Sequence, residues 1–268
     1  MSIPAAVAKD MRDTWSAMLF ELDKHLRRRR ILIALTLAAL VPLLFYAVPL
    51  ALGVAFAATS TTFAGTNLGF ANLLVLISAA FFGGDAISSE LDKRTFLASY
   101  VAPQRRTSMF AGKFLAAFLA TALVTTVYYG IIFVEMESIY GWGQVPAAFS
   151  TSYAVALLYS CAALSVAFTF SSLMKSTITS NMLSFFMLLL ILPIVQTLLS
   201  VAGVDPWFVP TYYSQLITSV FGGPSVFRGP GTALSFQPDF HLGLLVISSA
   251  SAILLVFSAL VTSRRQME

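Results

Sequence analysis

The stretch "FFGGDAISSELDKRTFLASYVAPQRRTSMFAGKFLAAF", Phe81 to Phe118, places eight charged side chains between two uncharged walls, in a chain that is 58% hydrophobic and only 10% charged. Upstream, no charged residue occurs from Ile31 to Gly84. Downstream, "FLAAFLATALVTTVYYGIIFV" runs uncharged from Phe114 to Val134. Each wall is long enough to supply the roughly 20 apolar residues that one bilayer crossing needs. With a mean hydropathy of +0.84, too few charges remain to cover a water-exposed surface, so the chain reads as a membrane protein. The apolar runs show no alternation, which excludes a β-barrel and predicts helices.

Working outward from this stretch, the hydropathy pattern predicts six spans, near 31–56, 67–84, 112–134, 149–173, 179–201 and 242–262. The first two are separated by "AATSTTFAGTN", where Gly65 and Asn67 suit a turn. Pro42 and Pro49 in the first span and Pro193 in the fifth remove backbone donors and predict kinks. About thirty polar and basic residues precede the first apolar run, so the pattern is not that of a cleaved signal peptide. The single cysteine, Cys161, lies in an apolar run and is read as packing.

Fifteen of the sixteen Lys and Arg residues fall on one side of this arrangement. They lie before the first span, in the 84–113 loop, at Lys175 and at the C-terminus, and Arg228 alone lies opposite. The positive-inside bias predicts a multi-pass protein of the cell membrane with both termini and the 84–113 loop cytoplasmic. The net charge of +4 is thereby explained by topology, and no nucleic-acid partner is expected.

Residues 1–30 form a separate cytoplasmic entry segment ahead of the six-span 31–268 membrane body. Met11, Trp15, Met18, Leu22 and Leu26 recur at three- and four-residue steps, with Asp10, Arg12, Asp13, Glu21, Asp23 and Lys24 on the other side. This is the pattern of an amphipathic helix lying in the headgroup layer, with Trp15 and the run Arg27, Arg28, Arg29 and Arg30 as its anchors and membrane lipid as its neighbour. At the opposite end, the segment 205–240 combines five prolines with Trp207, Phe208, Tyr212, Tyr213, Phe221 and Phe227. "TYYSQLITSVFGG" predicts a short helix stopped by Gly222 and Gly223, re-entrant or lying on the surface.

The inventory for catalysis is short. The two histidines, His25 and His241, are far apart in sequence and no metal-ligand spacing occurs, so neither a metal nor a catalytic residue is expected. "MFAGKF" lacks the first glycine and the Ser or Thr that a phosphate-cradling loop requires, so no nucleotide cofactor is expected on this chain. Glu135 and Glu137, at the outer end of the third span, are candidates for a substrate path or outer gate together with Tyr212 and Tyr213.

"DAISSELDKRTFLASYVAPQRRTSMFAGKF" resembles the signature of type-2 ATP-binding-cassette (ABC) exporter permeases, through Ile87, Glu90, Thr95, Pro103, Arg105 or Arg106, Gly112 and Lys113. Arg94 stands where that family usually has glycine. The resemblance extends to the entry helix, the six spans and the excursion between spans five and six. It implies an all-α membrane permease that dimerises, with an identical or homologous permease, and docks on two separate ATPase subunits carrying the ATP and Mg, for export. Coupling then falls to Glu90, Asp92, Lys93, Arg94, Phe96, Tyr100, Arg105 and Arg106, a charged rim around apolar anchors. The alternatives are an ion-gradient-driven secondary transporter and a non-transporting membrane anchor for an ATPase. The near absence of ionisable residues within the spans weighs against the first.

Overall fold

Two helices meet at Arg29, and their meeting point separates the entry segment from the membrane body. In the computed structural model, which describes residues 3–92, 105–222 and 236–265, α1 (Ile3–Arg27) stops and α2 (Arg30–Leu52) starts across the two-residue turn of Arg28 and Arg29. Arg29 has φ 55°, a left-handed conformation that costs a non-glycine residue. It turns the chain from the first helix into the first span.

Gly53, also left-handed, closes α2, and its N–H returns to the Pro49 carbonyl. The turn between the first two spans lies here, not around Gly65 and Asn67 as the composition suggests. Thr59 caps the next helix by accepting from the Thr62 N–H at 3.2 Å, so α3 (Ser60–Leu68) contains both Gly65 and Asn67. The second span then continues through α4 (Ala71–Gly83) and α5 (Ser88–Asp92). A Thr cap eight residues upstream of Asn67 outweighs the turn propensity of the Gly and Asn.

The third span, α6 (Arg106–Tyr140), overshoots the expected 112–134 at both ends. At 1.5 Å per residue its 35 residues make about 50 Å of helix, well beyond an apolar thickness of about 30 Å. It crosses the positions of Lys113 and Glu135 because the protein itself buries both side chains. α7 (Ala148–Leu173) forms the fourth span. The fifth is built from α8 (Thr177–Phe186), a π-helical turn at Met187–Ile191, and α9 (Leu192–Val201). The widened turn lies just before Pro193, where the sequence predicts a kink, and accommodates the missing proline N–H.

A 3-10 helix at Pro210–Gln215 and α10 (Leu216–Ser219) form the excursion, and α11 (Phe240–Arg265) is the sixth span. The excursion packs into the protein against the fourth span. Tyr213, Leu216 and Ile217 are buried, and the Ser152 hydroxyl of α7 donates to the Ile217 carbonyl at 2.6 Å. In a membrane protein, backbone away from regular helix is tolerated where protein surrounds it.

Burial is unequal across the bundle. The most apolar windows of the second and fourth spans are each 72% buried, against 22% for the first, 11% for the fifth and 17% for the sixth. Small residues make the centre dense: a Cβ placed on Gly83 of α4 would fall 2.9 Å from the Ala167 Cβ of α7, closer than side chains pack. Without water to drive apolar association inside a membrane, such close approach is what holds helices together. The molecule is therefore an all-α, six-span membrane protein.

Candidate functional site

The helix of the second span breaks between Gly83 and Ser88, at the end that carries the basic residues. Four residues leave the regular ladder there, and the backbone groups that local turns do not satisfy are recovered by three other helices. The N–H groups of Ile87 and Ser88 donate to the Ser171 hydroxyl of α7 at 2.9 and 3.1 Å. The Ser180 hydroxyl of α8 donates to the Gly84 carbonyl, and the Lys113 ammonium of α6 to the Ala86 carbonyl at 3.1 Å. Spans two, three, four and five are thereby tied to one short stretch of backbone.

Lys113 is 6% exposed. Its ammonium lies 2.5 Å from the Glu90 carboxylate of α5 and 3.9 Å from that of Glu21 on α1. Glu21 in turn accepts from Lys24 at 2.7 Å. Buried charges persist only when paired and hydrogen-bonded, and this chain of cation and anion satisfies both conditions while joining α1, α5 and α6. One residue earlier, Gly112 lets the helices touch: a Cβ there would lie 2.6 Å from Ala17 Cβ and 2.7 Å from the Thr14 carbonyl oxygen of α1. The Gly-Lys pair thus has a local explanation, in which glycine admits the entry helix and lysine binds it.

A second charge centre lies beside the first. Asp85 is fully buried and accepts a two-pronged bond from Arg30 at 2.6 and 2.8 Å, and a third from Arg28 at 3.1 Å. His25 packs edge-on against Phe82, with ring centroids 5.2 Å apart. Burial pushes its pKa down to about 4, against the favourable charge of Glu21; Lys24 adds to the lowering, Asp85 opposes it, and Arg30 adds again. The imidazole is therefore neutral at pH 7. Asp85, Glu21, Lys24, His25, Ser171 and Ser180 were not singled out in the sequence. Asp85 carried a usable signal, being the first charge after an uncharged run that begins at Ile31.

The site residues expected from sequence divide accordingly. Glu90 does not form part of an exposed rim: it turns inward onto Lys113. Asp92 is exposed and accepts from the Thr177 N–H at 3.4 Å. Arg105 is exposed and pairs with Asp10 of α1 at 2.7 Å, while Arg106 donates to the Ser263 carbonyl of α11 at 3.1 Å. Lys93, Arg94, Phe96 and Tyr100 lie outside the described residues. On α1, Met11, Trp15 and Leu26 are exposed as an amphipathic helix requires, but Met18 is buried, and Leu19 and Phe20 join the exposed apolar face. Glu21 and Lys24, expected on the polar side, face the protein because α6 and α5 offer them partners. Arg27 pairs with Asp23 at 2.6 Å, and Arg29 is exposed.

At the opposite end, both Glu135 carboxylate oxygens are buried without a hydrogen-bond partner, whereas Glu137 accepts from the Gly143 N–H at 3.2 Å and fixes the turn after α6. Tyr212 and Tyr213 are buried in the excursion. Between spans two and five runs a cleft of about 200 Å³ whose walls include Asn72, Gln196, Thr211, Ser214 and Thr218. Such a density of amides and hydroxyls beside Leu68, Leu76 and Leu189 is unusual for a lipid-facing surface.

A family model described as ABC-2 family transporter protein matches residues 17–203, which include the entry helix from Ala17, the broken second span and the Gly112–Lys113 pair. No curated protein matches the chain. The family match covers more than half of the chain, and the chain belongs to that family.

Proposed function

We propose, because the chain belongs to the ABC-2 transporter family, that it is a permease half that binds a separate ATPase through the segment around residues 93–104 and passes ATP-driven movement into the bundle through the Lys113–Glu90–Glu21 junction. The observation that carries this reading is that junction: a buried ammonium holds the entry helix, the end of the second span and the start of the third in one cluster, and that segment lies between Glu90 and Lys113 in sequence. A load applied there reaches all three elements at once. Such coupling has meaning only if the ATPase binds one arrangement of the bundle more tightly than another.

Two copies, or one copy with a homologous permease, then enclose the path, the exposed Ile194 and Leu198 side of the fifth span turning toward its counterpart and the polar cleft of Asn72, Gln196 and Thr211 facing the shared interior. The basic end is cytoplasmic, in keeping with the distribution of Lys and Arg, and the direction is export. ATP and Mg belong to the partner chain. The test is to replace Glu90 with Gln, and separately Arg105 and Arg106 with Ala, and to follow co-purification of the ATPase, ATP hydrolysis and substrate flux. Retained assembly with uncoupled hydrolysis and flux is expected for Glu90→Gln. Unchanged flux in both variants, with correct folding, removes the coupling surface from this end.

A further inference from the structure

The elbow between α1 and α2 carries more positive charge than the protein neutralises. Among the described residues, Lys24, Arg27, Arg28, Arg29 and Arg30 pair with three carboxylates: Glu21 on Lys24, Asp23 on Arg27, and Asp85 shared by Arg28 and Arg30. Arg29 is exposed, makes no ion pair among the described residues, and is the one non-glycine residue described with positive φ. A strained backbone is kept where the surroundings gain from the side-chain direction it imposes.

Beside this cationic elbow a lateral cleft of about 450 Å³ opens between α2, α4 and α8. Ile33, Phe81, Met182, Phe185 and Phe186 make its walls apolar, with Arg30 and Asn181 as its polar residues. Arg30 also donates to the Phe81 carbonyl at 2.9 Å, which seats the guanidinium on the cleft wall. The Asn181 side-chain oxygen is buried and has no hydrogen-bond partner. An apolar trough with a surplus of guanidinium at one end matches one amphipathic molecule available throughout a bilayer. A second copy of the chain is a poorer occupant, since it would bring the same surplus of cations to the contact.

We propose that the elbow and this cleft form a binding site for an anionic phospholipid of the leaflet on the basic side, its phosphate on Arg28, Arg29 and Arg30 and one acyl chain along Phe81, Met182 and Phe185. The site is independent of the transport reading, because it rests on charge and shape outside the Lys113 junction. Exposed basic residues at a membrane surface each favour anionic lipid modestly, and burying a methylene-rich chain adds to this.

The test uses the full-length protein in neutral detergent, with retained lipid counted by native mass spectrometry after adding synthetic diacyl phosphatidylglycerol or phosphatidylcholine of identical chains. Preferential retention of the glycerol lipid is expected. Arg29→Asn, which keeps a residue tolerant of left-handed backbone, should weaken that retention about fivefold while leaving phosphatidylcholine unchanged; Arg29→Lys should restore it. Phe185→Ser should lower the retention of both lipids. Equal retention of the two lipids, indifference to Arg29→Asn, or displacement of the bound species by inorganic phosphate alone would overturn the proposal. So would a Phe185→Ser variant that changes the number of protein copies per complex and not the lipid count, which would assign the cleft to a second chain.

Discussion

Lys113 shows how one side chain can decide the behaviour of a junction. Replacing it with Met leaves Glu90 and Glu21 buried beside an apolar group, and breaking a buried pair from one side costs about 3–5 kcal/mol. Chemical unfolding in detergent should show that loss, and Glu90→Gln added to Lys113→Met should recover part of it, since the anion left alone is the costly partner. His25 gives a pH signature outside the spans. Its pKa is lowered to about 4 in the folded protein, so below the ordinary value near 6.5 the unfolded chain binds the additional proton. Stability contributed by neutral His25 is present above pH 6.5 and is lost as pH falls through the window from 6.5 to 4. Melting temperature should drop across that window in the parent and much less in His25→Gln. Neither role was legible in sequence: His25 counted there only as one of two histidines far apart, and the burial that defines it comes from Phe82, fifty-seven residues away.

At the level of elements, α1 separates what pattern reveals from what it hides. The three- and four-residue recurrence of Met11, Trp15 and Leu26 correctly marks an amphipathic helix, because an exposed apolar face must repeat with the helix. The same pattern places Met18 with them, whereas packing against α6 buries Met18 and draws Glu21 inward. Periodicity sorts residues by polarity, and a helix held between lipid on one side and a charged neighbour on the other breaks that sorting. With Trp142 and Trp207 replaced by Phe, Trp15 should emit as a partly lipid-immersed indole and be quenched by lipids brominated near the headgroup. Quenching by water-soluble iodide alone would mean that α1 stands clear of the bilayer. Gly112→Val tests the contact from the other side. A branched side chain cannot fit where a single Cβ would already lie 2.6 Å from Ala17, so α1 should detach and become accessible to protease while the six spans remain inserted. The six spans themselves were legible to within a few residues, except where Thr59 starts the second earlier and where α6 runs on past charges that the fold buries.

For the whole molecule, the uneven burial of the spans carries the strongest expectation. A protein whose second and fourth spans are its centre leaves the first, fifth and sixth with faces that only lipid or another chain can cover. If the fifth span is the contact between copies, cysteine at Ile194 or Leu198, both exposed, should give an oxidant-dependent disulfide-linked pair in a Cys161→Ala background, and the same substitution at Leu245 of the sixth span should not. No sequence pattern could have ranked these faces, because lipid and a partner chain ask for the same apolar residues. The gap in the second span between Gly83 and Ser88 has one more outcome. Its amides are held by a rotatable hydroxyl where a neighbouring turn would ordinarily hold them, so rearranging that stretch needs only torsions about side-chain bonds and no unwinding. In hydrogen–deuterium exchange, Ile87 and Ser88 should take up label at a rate set by the Ser171 hydroxyl, and Ser171→Ala should speed those two sites far ahead of their flanks.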